Sequence, residues 1–330
     1  MEQPFISVII ATRGRRAQLR QCLVSLAGQT YRRERWEVIV VEDGDEEPPD
    51  QGVAALRQRL PLEYLQQPHA GCGMARNSGA AQSRGRYLVF TDDDCRFPGD
   101  WLCRYEDQFQ RTAGCLVAGR SINALKGNPY SQATQELVDY LLSKFNASAE
   151  QATFGAGNNM GVPAEEFREL GGFSPRYFRS TAEDRDLCAR WVEAGRRLVY
   201  APDIVVHHAH RLSFGSFLKQ HFHYGRGAYL FHRLEAERRR SRVKLESASF
   251  YCALLLWPWS KGGGPQAARR SLLLLVSQVA HTAGYLRGFL ASHPPGDGGA
   301  NHLEQESRND YGGKWICWAD PAIRLEPAGL

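Results

Sequence analysis

Apolar runs and helical spacings take turns along the first part of the chain. "FISVIIAT" is a continuous β-rich run that breaks at Arg13-Gly14, and "RAQLRQCLVSLAGQ" then places Leu19, Cys22, Leu23 and Leu26 on one helical face. "WEVIVVEDG" is a second buried strand ending in Glu42, Asp43 and Gly44, and "PPDQGVAALRQRL" follows as a helix with prolines at its start. "LEYLQQP" reads as a weaker third strand, "GMARNSGAAQSRG" as a helix of small residues closed by Gly85, and "RYLVFT" as a fourth strand that runs into Asp92, Asp93 and Asp94. Such alternation predicts a parallel sheet whose ligands bind beyond the carboxyl ends of its strands. Thr12, Asp43 and the three aspartates then share one rim.

Beyond residue 115 the alternation weakens into an α+β half. "GCLVAGRSI" predicts a strand, "SQATQELVDYLLSKFNAS" a helix with Leu137, Tyr140, Leu141 and Phe145 on one side, and "AGNNMGVPAEEFRELGGF" a strand passing into a short helix. "TAEDRDLCARWVEAG" opens with a helix-start signal at Thr181, and "RLVYAPDIVVHHAH" supplies the last strand. From Leu212 the pattern is helical as far as a loop-like tail that begins at Pro294, whose Trp315, Ile316 and Trp318 are expected to dock. The expected organisation is a region 1–211, with a nucleotide half to about 115 and an acceptor half from 116, followed by a helical extension 212–330. No repeat of 20 to 50 residues is present.

The helical extension raises the question of a membrane. "LLLLVSQVAHTAGYLRGFL" has roughly the length of a spanning helix, but Gln278, His281 and Arg287 interrupt it. Two readings stay open: helices lying on an anionic membrane surface with "RRRSRVK" against the head groups, or a solvated face on helices packed against the rest of the chain.

Composition narrows the classes further. The 41 basic side chains against 36 acidic ones give +5, which permits phosphate or anionic-lipid partners without requiring them. "ERRRSRVK" has no interleaved aromatics, so nucleic acid is not an expected partner. The eight cysteines form no C-x-x-C pair, and "MEQPFISVII" lacks a signal-peptide profile. A reducing, cytoplasmic setting with free thiols is expected, peripheral on the inner face of the plasma membrane if the helices meet lipid.

Three adjacent aspartates repel one another and need a compensating charge. A divalent cation, Mn²⁺ or Mg²⁺, that carries substrate phosphates meets that need, and strand alternation puts Asp92 and Asp94 on one side with Asp93 turned away. Asp43 suits a nucleobase or ribose contact, although an Asp-Gly turn accounts for it equally well. Arg76 is read as meeting base or phosphate, or as part of a solvated helix face. Glu183 and Asp184 fall in the first turn of a helix, where the macrodipole keeps carboxylates ionised for general-base work or simply for capping. His208 and His210 share a strand face and suit a metal, whereas His221, His223 and His232 read as helix surface.

These segments occur in an order that resembles the family two glycosyltransferases of the GT-A fold. "FISVIIATRGRRAQLRQCLVSLAGQTY", "EVIVVEDG", "GMARNSGAAQSRGRYLVFTDDD", "GNNMGVPAEEFRELGGF" and "AEDRDLCARWVEAGRRLVYAP" carry the resemblance over about residues 5 to 211. It implies an α/β GT-A fold and inverting transfer of a hexosyl group from a nucleotide-diphosphate donor, UDP by family habit, to a hydroxyl of a saccharide, lipid-linked or small-molecule acceptor. Carried over by position, Thr12 and Arg13 would line the base pocket, Asp43 would contact the base and Arg76 would lie beside it. Asp92 and Asp94 resemble the D-x-D, with Asp92 and Asp93 facing the nucleotide, His208 resembles a histidine of the metal shell, and Asp184 resembles the catalytic base. The acceptor pocket is expected around Asn158, Asn159, Glu183 and Trp191. Glu42 departs from the aspartate common at its position.

Two other classes compete. A nucleotidyltransferase usually carries a glycine-rich, lysine-containing loop after its first strand, and "ATRGRRAQL" has one glycine and no lysine. A non-catalytic nucleotide-binding scaffold would have little use for both the D-x-D and Asp184.

Overall fold

In the computed structural model, which describes residues 5–44, 51–148, 152–178, 180–241 and 246–292, the run Ile6–Thr12 is β1, buried at almost every position. Its side chains alternate between two cores: Ile6, Val8 and Ile10 enter one cluster and Ile9 the other. α1 (Arg16–Leu26) buries Leu19, Cys22, Leu23 and Leu26, the face its spacing predicts. β2 (Trp36–Asp43) is buried throughout, α2 (Gln51–Ala55) is short, and β3 (Leu62–Gln67) is the half-exposed edge. α3 (Cys72–Gln82) and β4 (Tyr87–Asp92) complete the alternating half.

The second half adds β5 (Cys95–Arg96), α4 (Trp101–Arg111), β6 (Leu116–Asn123), α5 (Pro129–Phe145), β7 (Asn159–Pro163), α6 (Ala164–Glu169), α7 (Glu183–Glu193) and β8 (Leu198–His208). The eight strands form one sheet in the order β3-β2-β1-β4-β7-β6-β8-β5. β1 pairs in parallel with β2 and β4, and β6 with β8; β7 runs antiparallel to both of its neighbours, as β5 does to β8. The sheet is therefore mainly parallel with helices on both faces, the GT-A architecture the resemblance implies; β1 to β4 pair in parallel, as the alternation predicts, and the antiparallel strands β5 and β7 belong to the second half. α4, on which the sequence reading is silent, buries Trp101, Leu102, Tyr105 and Phe109 under the first core.

Three local expectations change. Gly85 does not close α3, which ends at Gln82 with Ser83 already extended; instead its N–H donates to Ser7 Oγ at 2.9 Å, and a side chain there would collide with β1. Thr181 lies one residue before the capping position of α7, which starts at Glu183, and its hydroxyl donates to the His223 carbonyl. α5 buries Leu142 in place of Leu141, with Leu137 and Tyr140 as expected.

The described residues divide into two compact units, one holding those before Ser180 together with Glu183–Arg211, the other Ser180–Ala182 together with those from Leu212 to Ser292. In the second unit α8 (Phe214–Arg239) starts at a reciprocal Ser213/Ser216 capping box, and α9 (Ala248–Ser260) and α10 (Pro265–Ser292) follow. α8 and α10 touch backbone to backbone at Gly225 and Gly284, where a Cβ has no room. His221 is fully buried rather than on the helix surface, and burial together with His281 pushes it down to about 3. No helix among the described residues is long and apolar enough to cross a membrane. The tail with Trp315, Ile316 and Trp318 lies outside the described residues.

Small residues let α3 approach the sheet: a Cβ on Gly79 would lie 2.6 Å from Ile9 Cγ2 and 3.2 Å from Val41 Cγ2. Gly79→Val is expected to cost about 1–3 kcal/mol by overpacking, read as a lower urea midpoint; an unchanged midpoint would show that α3 is not seated by this contact.

Candidate active site

Five carboxyl groups, Asp92, Asp93, Asp94, Glu183 and Asp184, gather at the carboxyl end of β4 and the start of α7; two guanidiniums hold the first four and backbone N–H groups hold Asp184. Arg76 projects from α3 and is buried; its Nη2 donates to Asp92 Oδ1 at 2.8 Å and its Nη1 to Glu183 Oε1 at 2.9 Å. Its Nε is buried with no hydrogen-bond partner among the described residues, and its face lies 5.5 Å from the Phe173 ring centre. Burial opposes the charge of Arg76, but the surrounding acidic groups, Asp92 and Glu183 among them, raise its pKa all the same. A side chain on Gly157 would collide with this guanidinium, so glycine is what allows the approach. Gly157 also donates its N–H to Asp184 Oδ2 at 3.0 Å, and Arg185 N–H donates to Asp184 Oδ1 at 2.7 Å. Asp184 is thus fixed by backbone on both oxygens while remaining partly exposed.

The second guanidinium, Arg15 at the start of α1, pairs with Asp93 at 2.9 Å and Asp94 at 2.5 Å. β4 ends at Asp92 and the next two residues turn, so Asp93 and Asp94 meet the same cation. Strict alternation, with Asp93 facing away from Asp94, fails because the strand stops one residue too early. Thr12 Oγ1 donates to Asp93 Oδ2 at 2.7 Å. Burial raises Asp93 to about 7, against the pull of Arg15 and of that hydroxyl. Asp94 behaves oppositely: burial raises it, but His208 and His210, with Arg15, hold it below the ordinary carboxylate range. His208 Nε2 lies 3.0 Å from Asp94 Oδ1 and His210 Nδ1 3.3 Å from Asp94 Oδ2, whereas His207 is exposed. The two-residue β5 is what joins these partners, since Cys95 pairs with His208 across the β5–β8 ladder.

The donor set around Asp94 fits a hard dication in part. Asp94 Oδ1 is buried without a hydrogen bond of good geometry, and ligand atoms of Asp94, Cys95 and His208 lie within 4.8 Å of one another. Burial keeps the Cys95 thiol well above its ordinary range, which leaves Asp94 and His208 as the usable ligands. Asp92, expected to share the ion with Asp94, is outside this group and is engaged by Arg76 instead.

Asp43, at the end of β2, holds the loop between β3 and α3. Its Oδ1 accepts from Gln67 Nε2 at 2.8 Å and Ala70 N–H at 2.7 Å, and its Oδ2 from His69 Nδ1 at 2.8 Å and Gly71 N–H at 2.9 Å. These four bonds fill the acceptor capacity of a carboxylate, so Asp43 shapes the loop leading to α3 rather than offering a free oxygen. Gly71 takes φ +89° there. Arg13 Nη1 lies 2.9 Å from His69 Nε2; because a guanidinium can only donate, Nε2 accepts and the ring proton sits on Nδ1, facing Asp43. Glu42 accepts from Gly14 N–H at 2.8 Å and Tyr64 OH at 3.2 Å, tying the β1–α1 turn to β2 and β3.

Of the acceptor candidates, Glu183 belongs to the Arg76 bridge, and Asn158 is partly exposed with Oδ1 held by Ser121 Oγ at 2.7 Å. Asn159 and Trp191 are corrected to core residues. Asn159 is fully buried, accepts from Trp101 Nε1 and Tyr105 OH, and donates to the Arg120 and Ile204 carbonyls. Trp191 is fully buried with its indole N–H on the Arg197 carbonyl. The sequence alone does not point to Arg15 and His69 as partners of these carboxylates. Only the "RGRR" turn after β1 gave any signal for Arg15.

Residues 7–171, half of the chain, match the model of glycosyl transferase family 2, and the chain belongs to that family. It is 28% identical over 231 residues to Glycosyltransferase AglE of Haloferax volcanii, covering 68% of this chain and 73% of that one. It is 28% identical over 289 residues to Succinoglycan biosynthesis protein ExoM of Rhizobium meliloti, covering 84% of this chain and 90% of that one. In fold it is similar to a mannosyltransferase from Pyrobaculum calidifontis solved in complex with GDP-Man and Mn²⁺, with TM-score 0.62, 16% identity and 88% of each chain covered.

Glu183 provides a test of the charge balance. Burial and the Asp184 charge raise it to about 7, with Arg76 opposing, while an unfolded glutamate titrates near 4.3. A raised folded pKa contributes stability that is complete below the unfolded value and is lost as pH rises through the folded one. Relative to Glu183→Gln, the native chain is therefore expected to lose about 2–4 kcal/mol between roughly pH 4.5 and 7.5, measured by urea unfolding; a difference independent of pH would contradict the assignment.

Proposed function

We propose that the chain is an inverting glycosyltransferase that moves a hexosyl group from a nucleotide-diphosphate donor to an acceptor hydroxyl, with Asp184 as the general base. The observation that carries this reading is the Asp92–Arg76–Glu183 bridge, which joins the acidic end of β4 to the first turn of α7 and leaves Asp184 beside it. The GDP-Man and Mn²⁺ of the Pyrobaculum structure support a nucleotide-sugar and a dication for the shared fold.

The chain's own residues divide the work as follows. Arg13, His69 and the loop held by Asp43 form the wall against which the base and ribose rest, and Thr12 orients Asp93 beneath the nucleotide. Asp94 and His208 would hold Mn²⁺ or Mg²⁺, which when bound neutralises charge developing on the departing diphosphate. Arg76 keeps Asp92 and Glu183 in place and adds a fixed positive charge near that diphosphate. Asp184, anchored through Gly157 and Arg185 N–H groups, accepts the proton of the acceptor hydroxyl as the new bond forms on the face opposite the leaving group. Backside attack inverts the anomeric centre. Asn158 and Glu183 border the acceptor, a saccharide free or lipid-linked.

Asp184→Asn is expected to lower transfer by roughly 10²- to 10⁴-fold while leaving nucleotide affinity in calorimetry unchanged. Products are scored by mass spectrometry over a panel of nucleotide-sugars with Mn²⁺. Near-native transfer by the variant would remove Asp184 from the role of base, and release of pyrophosphate rather than nucleoside diphosphate would overturn the reaction class.

A further inference from the structure

The helical unit leaves a large apolar surface that the transfer reaction does not use. On α10, Leu272, Leu275, Val279, Leu286 and Leu290 are 47–64% exposed and fall within one stripe at 100° per residue. The opposite face of the helix is buried at Ala267, Leu274, Ser277 and Gly284. α9 carries a similar stripe, with Leu256 and Trp259 exposed at 64% and 47%. The Trp259 indole donates to Ser271 Oγ at 3.1 Å and Ser271 donates to the Leu255 carbonyl at 2.7 Å, so the stripes meet beside Leu272. A contiguous exposed patch of this kind on a folded chain marks an interaction surface.

Charge selects the occupant. Residues 248–292 contain Lys261, Arg269, Arg270 and Arg287 and no carboxylate at all. Arg269 and Arg287 are eighteen residues apart, five helical turns, so both stand on the same border of the apolar stripe. Both are exposed, and neither forms an ion pair among the described residues. Long basic side chains flanking leucines are the arrangement in which the stems follow apolar surface while the heads reach phosphate. A second copy of the chain would bring Arg269 and Arg287 against like charge, which disfavours self-association.

We propose that the outer faces of α9 and α10 form an interfacial binding surface for an anionic lipid bilayer, lying in the plane of the head groups without spanning. The proposal is independent of the transfer reaction, since it concerns residues that the reaction does not use.

The test is flotation of the full-length chain with vesicles of phosphatidylcholine alone or with about a third phosphatidylglycerol, without donor or metal. The chain is expected to float with the anionic vesicles, at least tenfold more weakly with the neutral ones, and less as salt rises. Leu272→Ser combined with Leu275→Ser and Val279→Ser is expected to abolish flotation with an unchanged circular dichroism spectrum, these positions being exposed. Arg269→Gln with Arg287→Gln is expected to lower anionic binding by roughly ten- to thirty-fold and to leave neutral binding as it was. Absence of flotation with anionic vesicles overturns the proposal. So does a native chain that is dimeric by light scattering and becomes monomeric in the triple serine variant, since the stripe is then an interface between copies.

Discussion

One buried guanidinium organises the catalytic unit. Arg76 reaches Asp92 at the end of β4 and Glu183 at the start of α7, two positions 91 residues apart in the chain, and is itself nearly inaccessible to water. A cation in such a place is tolerated only if its partners are well placed, because removal from water costs several kcal/mol per ion. The surrounding sequence is arranged to supply those partners. Gly79 lets α3 sit against β1 and β2, Gly157 leaves room for the guanidinium, and the same Gly157 holds Asp184. Ala182, just before the pair, takes a left-handed φ of 79° that alanine disfavours, so the acidic pair enters α7 from a strained residue.

Around this bridge the corner stays short of positive charge. Arg15 is shared by Asp93 and Asp94, His208 of β8 lies against Asp94, and His210 in the loop after it adds a hydrogen bond to Asp94. Asp93 and Glu183 respond by holding protons up to about 7, while Asp94 stays ionised.

The sequence made the repeated part of the fold legible because its forces are local. Leu19, Cys22, Leu23 and Leu26 mark α1, and three apolar strands end in polar residues that the sheet lines up on one rim. The acidic residues at the strand end and helix start are likewise visible as clusters. What the sequence hid depends on contacts between distant segments. Arg15 and His69 look like ordinary loop residues until the strands pair, and Arg76 looks like a base contact until α7 closes over α3. Asn159, expected near the acceptor, instead satisfies Trp101, Tyr105 and two carbonyls where antiparallel β7 enters the sheet. Trp191, expected at the acceptor pocket, and His221, expected on a helix surface, are both buried by helix packing.

The account stands or falls on coupling between Arg76 and Glu183, which a double-mutant cycle measures directly. Arg76→Met, Glu183→Gln and the paired variant, unfolded in urea at pH 8 where Glu183 is ionised, give the interaction free energy as the departure from additivity. A coupling of about 1–3 kcal/mol is expected for a buried, hydrogen-bonded ion pair. Strict additivity, with each substitution acting alone, would mean that the bridge does not hold the two acidic groups together.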